Sequence, residues 1–229
     1  MERTGIDRTP IFLMGLLVLA AILLSADWAP AFAHGIGGKD ADFVANNTGP
    51  QFFSFFYLGA KHMVTGTDHL LFIFGIIFFL YRLRHVALYV TLFSIGHSLT
   101  LLTGVLGEIY VNPYLVDAIV GLSVVYKAFD NLGGFKTTFG FEPNTKIAVL
   151  GFGLAHGFGL ATKLQALDPS RDGLITNMLA FNVGVEIGQL LVLSFMLAFM
   201  LWWRQTRSFG HYAVAANVVI LTAGVLLTE

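Results

Sequence analysis

Apolar residues dominate this chain in long runs, and polar residues collect in short stretches between them. The runs fall at roughly 52–81, 86–106, 113–132, 146–163, 174–202 and 211–228. Each is near the ~20 residues that a helix needs to cross the hydrocarbon core of a bilayer. Turn residues punctuate them: Asn112-Pro113, Gly133-Gly134, Pro143-Asn144 and Asp168-Pro169-Ser170. The expected fold is all-α, a polytopic transmembrane bundle of about six helices after an N-terminal signal segment. The first run is too long for one perpendicular helix, and Gly66, between Thr65 and Thr67, is the expected break.

Upstream, Arg3 and Arg8 precede an apolar run from Ile11 to Leu24, and Ala31-Phe32-Ala33 supplies an A-x-A pattern. That order predicts a secretory signal peptide over 1–33, cut after Ala33. Glu2 and Asp7 offset the charge of its first part, so an uncleaved seventh helix is the other reading. Residues 34–51 read as a polar extracytoplasmic segment and 52–229 as the membrane domain. Basic residues orient it. Arg82 and Arg84, Lys136 and Lys146, and Arg204 and Arg207 fall in alternate connections, whereas loop 107–112 has Glu108 and no basic residue, and the loop near 163–173 has Lys163 and Arg171 offset by two Asp, a modest bias that points one way. Both ends of the mature chain are then expected outside a bacterial inner membrane, on the periplasmic face.

Composition agrees with a membrane domain. Hydrophobic residues make up 56% of the 229 and charged residues 12%, about half the charged share of a soluble domain. The mean hydropathy is +0.75. A net charge of −1 offers nothing to nucleic acid. With no cysteine there is no disulfide, no thiolate metal site and no cysteine-attached haem. Any metal site must use imidazole, carboxylate, amide, hydroxyl or backbone oxygen.

Against that background, ionisable residues deep in the apolar runs stand out. At the rise of an α-helix, His97 lies about 16 Å into its run, His156 about 15 Å and Glu186 about 18 Å. His69, with Asp68 beside it, lies well inside the first run. Such groups are costly in lipid and mark a pathway or a site. Helix-to-helix hydrogen bonding is the bland alternative for any one of them. His62 and His69 share a helix face but stand two turns, about 10.5 Å, apart on a straight helix. They are either successive stations on a path, or the helix unwinds at Thr65-Gly66-Thr67 and folds them together; His62 is expected to act at the outer mouth and His69 with Asp68 at the deeper site. Asp68 points away from His69 around a regular helix, which suits hydrogen bonding to an imidazole of another helix. Asn182, Glu186 and Gln189 form one polar stripe. Asp117 is a candidate outer carboxylate, and Lys127 and Asp130 are spaced as an ion pair. If cleavage follows Ala33, His34 becomes the terminus, and its α-amine and imidazole suit Cu(II) or Ni(II); otherwise it is an exposed histidine. One short echo joins Phe93-Ser-Ile-Gly-His97-Ser to Phe152-Gly-Leu-Ala-His156-Gly, a hint of duplication.

These segments together resemble the HupE/UreJ family of membrane proteins, regarded as nickel permeases associated with hydrogenase and urease maturation. The likeness runs from about Gly59 to Leu197. His62-Met-Val-Thr-Gly-Thr-Asp68-His69 resembles the family's His-x5-Asp-His signature. The segments at Phe93–Thr100, Phe152–Ala161 and Phe181–Gln189 resemble its second, fourth and fifth helix motifs. Asp117 and Asp130 stand where the family pattern leads one to expect Glu, which keeps the charge.

The leading expectation is a permease, not an enzyme, carrying a divalent transition metal from periplasm to cytoplasm. Its metal residues would be His62, Asp68, His69, His97, His156 and Glu186, with Asn182, Gln189 and Asp117 in support. Nickel comes first among the substrates, with Co, Zn or Cu also compatible with imidazole and carboxylate. Metal-delivery proteins on either side of the membrane are the partners such a role would use. The alternatives are an intramembrane zinc hydrolase, for which no H-E-x-x-H motif is present, and a haem protein with His97 and His156 as axial ligands.

Overall fold

The computed structural model describes residues 38–80 and 82–228. The expected signal segment, its expected cleavage after Ala33 and His34 lie outside them. The described residues form α1 (Lys39–Asn46), α2 (Phe52–Thr65), α3 (Thr67–Ile77), α4 (Leu83–Leu106), α5 (Pro113–Asn131), α6 (Gly134–Phe139), α7 (Thr145–Gln165), α8 (Leu174–Arg204) and α9 (Arg207–Leu226). Among the described residues there is no strand. Helices α4, α7, α8 and α9 are each long and apolar enough to cross a membrane. Helix α5 carries Asp117, Lys127 and Asp130, and the first apolar run is divided between α2 and α3.

The division falls where local chemistry weakens the helix. The Thr65 hydroxyl donates back to the Lys61 carbonyl at 2.8 Å, a bond that bends helices. Gly66 then leaves helical geometry at φ −69°, ψ 101° while its N–H still closes on the His62 carbonyl at 2.8 Å. Other boundaries follow turn chemistry. Asn112 accepts from the Tyr114 N–H at 3.0 Å with Pro113 opening α5, and Asn144 accepts from the Lys146 N–H at 3.1 Å to open α7. Two elements were not expected. Helix α6 lies where only a turn was read, and α1 lies in the polar N-terminal segment, where Phe43 packs on Phe55 and Lys61 pairs with Asp40 at 2.6 Å.

In lipid no hydrophobic force distinguishes one apolar helix from another, so close backbone approach decides which helices pair. Glycines permit it. A Cβ on Gly59 of α2 would strike the Phe181 carbonyl of α8, and one on Gly184 would strike the Phe56 carbonyl. The same holds for Gly96 of α4, where a Cβ would lie 2.7 Å from the Leu150 carbonyl of α7, and for Gly157, where one would strike the His97 carbonyl. Phe56 lies against Gly184 and Ala60 against Gly188, and Gly96 lies against Leu150 and Gly104 against Ala161, so residue numbers rise together and α2 runs parallel to α8 and α4 parallel to α7. Helices α5 and α9 meet antiparallel through Gly121 and Gly224. At the expected inner end, Arg204 of α8 donates to the carbonyls of Ile77, Phe78 and Leu80, which closes the end of α3.

Candidate metal centre

The break at Gly66 turns α3 so that His69 comes back toward α2. The His62 and His69 rings lie 5.1 Å apart, half the separation of a straight helix, so the folded-together alternative is the one realised. Around His69 stand His97 of α4 at 5.7 Å and His156 of α7 at 4.9 Å, centroid to centroid. The two histidines of the Phe93 and Phe152 echo thus converge on one ring, brought there by the parallel glycine contact of α4 with α7.

All four imidazoles are buried, and their nitrogens are mostly unpartnered. The Nε2 atoms of His62, His69 and His156, and both ring nitrogens of His97, have no hydrogen-bond partner. Buried polar atoms are rarely left so in a finished fold. The other edge of two rings is held. His69 Nδ1 meets Asp68 Oδ1 at 3.0 Å, and His156 Nδ1 meets the Phe152 carbonyl at 2.8 Å. A carbonyl only accepts, so His156 carries its proton on Nδ1, and the neutral ring presents an Nε2 lone pair to the cluster. Ligand atoms of Asp68, His69 and His156 lie within 4.8 Å of one another. Phe72 and Phe93 wall the group, Phe93 at 5.0 Å and Phe72 at 5.7 Å from the His156 ring. Lone pairs converging inside an apolar wall are what a soft or borderline cation needs.

Three expectations change. Asp68 bonds its own neighbour rather than an imidazole of another helix. It sits in the first turn of α3, just past the break, where its carboxylate folds back beside His69. His62 belongs to the cluster rather than standing a station away. Glu186 does not join the histidines; it is exposed, with Ser98 of α4 at 3.4 Å. Each residue of a helix turns about 100°, so Glu186 stands roughly 40° from Asn182 and 60° from Gln189, toward exposed Val183 and Leu190. Helix α8 buries its glycine face on α2, and the stripe is split: Asn182 and Gln189 face inward, Glu186 outward.

The remaining residues lie elsewhere. Asn182 is buried with its Oδ1 unpartnered. Asp117 pairs with Lys163 at 2.8 Å, and Lys127 with Asp130 at 2.6 Å as its spacing predicts. Sequence reasoning assigned no role to Ser94 or Ser98. They flank His97 at a spacing of four and meet Gln189 and Glu186; that spacing inside an apolar run was the available signal.

Comparison with curated proteins and with solved structures returns no match. The pattern that defines the HupE / UreJ protein family matches residues 38–229, which takes in every helix above and all four clustered histidines. The chain therefore belongs to the HupE/UreJ family, a transporter-type family associated with nickel and cobalt.

Proposed function

We propose that this chain is an inner-membrane permease that carries a divalent transition metal, nickel foremost, from periplasm to cytoplasm, with His62, His69, His97 and His156 as its ligands and Asp68 beside them. The observation that carries the proposal is the set of buried imidazole nitrogens without partners, drawn from four helices so that the rings of His62, His97 and His156 lie 5.1, 5.7 and 4.9 Å from that of His69. Imidazole suits Ni, Co and Zn, and the absence of cysteine argues against a thiolate path for Cu(I). A dication brings charge into low dielectric, and the Asp68 carboxylate offsets part of it. Drive need not come from a nucleotide: a potential of ~100 mV acting on two charges supplies roughly 4.6 kcal/mol inward. The signal segment, periplasmic mature terminus and His34 chelation belong to the same reading.

The test is uptake of radiolabelled nickel into liposomes holding the purified full chain, across a concentration series with an imposed potential. His69 is the hub, so His69→Ala is expected to stay inactive at every concentration. His62 stands at the edge of the group and three imidazoles survive its loss, so His62→Ala should fall most at low nickel and recover in part as nickel is raised. Wild-type uptake by both variants would end the proposal.

A further inference from the structure

Between α4 and α8 lies a cleft of about 450 Å³ that the nickel reading leaves without a role. Its polar lining comes from Thr91, Ser94 and Ser98 on α4 and from Glu186 and Gln189 on α8. We propose that this cleft is a second ion site, distinct from the histidines, that takes a small monovalent hard cation of the sodium class.

Three observations point there. The first is donor chemistry. The lining offers a carboxylate, hydroxyls and an amide, and no imidazole or sulfur. Oxygen ligands suit hard cations, whereas imidazoles suit borderline ones. The second is charge. Glu186 is the one acidic side chain in the lining, and no basic residue shares it. It lies about 18 Å into its helix, flanked by Ile95 and Leu190. An uncompensated charge at that depth is costly, so a monovalent cation brings the site to neutrality while a dication leaves it positive. The third is Gln189. It is 2% exposed, its amide meets the Ser94 hydroxyl at 2.8 Å, and its other amide atom has no partner. A hydroxyl both donates and accepts, so turning the amide keeps the Ser94 bond and leaves the carbonyl oxygen as the open group. Glu186 and Ser98, 3.4 Å apart, and Gln189 line the cleft together and come from both helices. Cation binding here stands apart from the transported metal, because its ligands are not those of the imidazole centre.

The experiment is equilibrium binding of radioactive sodium to the purified full chain in detergent, with chelator present to remove transition metals. Saturable binding is expected in the wild type. Glu186→Gln should weaken it at least tenfold, and Ser98→Ala should weaken it less. His69→Ala should bind sodium as the wild type does while losing nickel. Nickel binding retained by Glu186→Gln reports that this variant is folded, so loss of its sodium binding is local. No saturable sodium binding by the wild type overturns the proposal, as does undiminished binding by Glu186→Gln. Loss of sodium binding in His69→Ala also overturns it, because the two sites would then be one. The nickel proposal survives any of these results, since it is read by nickel uptake.

Discussion

Asp68 and His69 are neighbours in the chain, and neighbours on a helix normally face different ways. Their contact at 3.0 Å exists because α3 begins just before them and its first turn leaves the Asp68 carboxylate free to swing. A carboxylate on Nδ1 fixes the tautomer and orientation of His69 and leaves its buried Nε2 as the open ligand atom. Asp68→Asn keeps a hydrogen-bonding group but removes the charge. It is expected to weaken nickel binding by about 10–100-fold, the usual cost of an outer-shell partner, with little change in helicity. Titration calorimetry beside circular dichroism would check both halves. Wild-type affinity in Asp68→Asn would mean the carboxylate is a bystander.

Among the elements, the α2–α3 break does what no continuous helix can. Gly66 joins the two at an extended ψ, and the space around it is tight. A Cβ there would meet the His62 carbonyl at 3.0 Å, His69 Nδ1 at 3.0 Å and Asp68 Oδ1 at 3.1 Å. Gly66→Ala should therefore push the Asp68–His69 pair aside and lower metal affinity about tenfold, roughly 1.4 kcal/mol. Gly151 of α7 has open space where its Cβ would go, so Gly151→Ala is the matched control and should bind as the wild type does. Equal affinity in both variants would show that the break tolerates a side chain. Helices α4 and α7 bring the echoed motifs together in parallel. Their glycines, to which the sequence reading gave no role, set the distance between backbones.

For the molecule as a whole, the second half of the broken helix hangs on polar anchors from distant parts of the chain. Arg204 holds the carbonyls of Ile77, Phe78 and Leu80, and Asn131 donates to the Gly75 carbonyl at 2.8 Å and to Asn217 Oδ1 at 2.9 Å. These groups satisfy the end of α3, where unpaired carbonyls would otherwise face apolar surroundings. Arg204→Ala leaves those carbonyls without the guanidinium and is expected to cost about 2–3 kcal/mol, the scale of a charged hydrogen bond. A thermal unfolding series in detergent would register it as a lowered Tm, with weaker nickel binding as α3 loosens. An unchanged Tm would mean that other groups take over the end of α3.

The sequence by itself determined the class of fold and singled out the four histidines that the fold gathers, His62, His69, His97 and His156. Apolar runs of membrane length can be satisfied only by helices, and histidines in the middle of those runs are too costly to be incidental. The HupE/UreJ membership was also legible, because the His-x5-Asp-His spacing and the three later motifs are local patterns. What the tertiary structure decided was which residues meet. Periodicity put Asn182, Glu186 and Gln189 on one stripe, but it says nothing of how a helix is rotated against its neighbours. The glycine contact with α2 set that rotation, turning Glu186 outward to Ser98 and leaving Asn182 and Gln189 inside. Likewise, spacing offered two arrangements for His62 and His69, and the bend at Gly66 selected the one in which they converge. Helix rotation and helix bending depend on contacts between segments far apart in the chain, and local pattern carries no record of them.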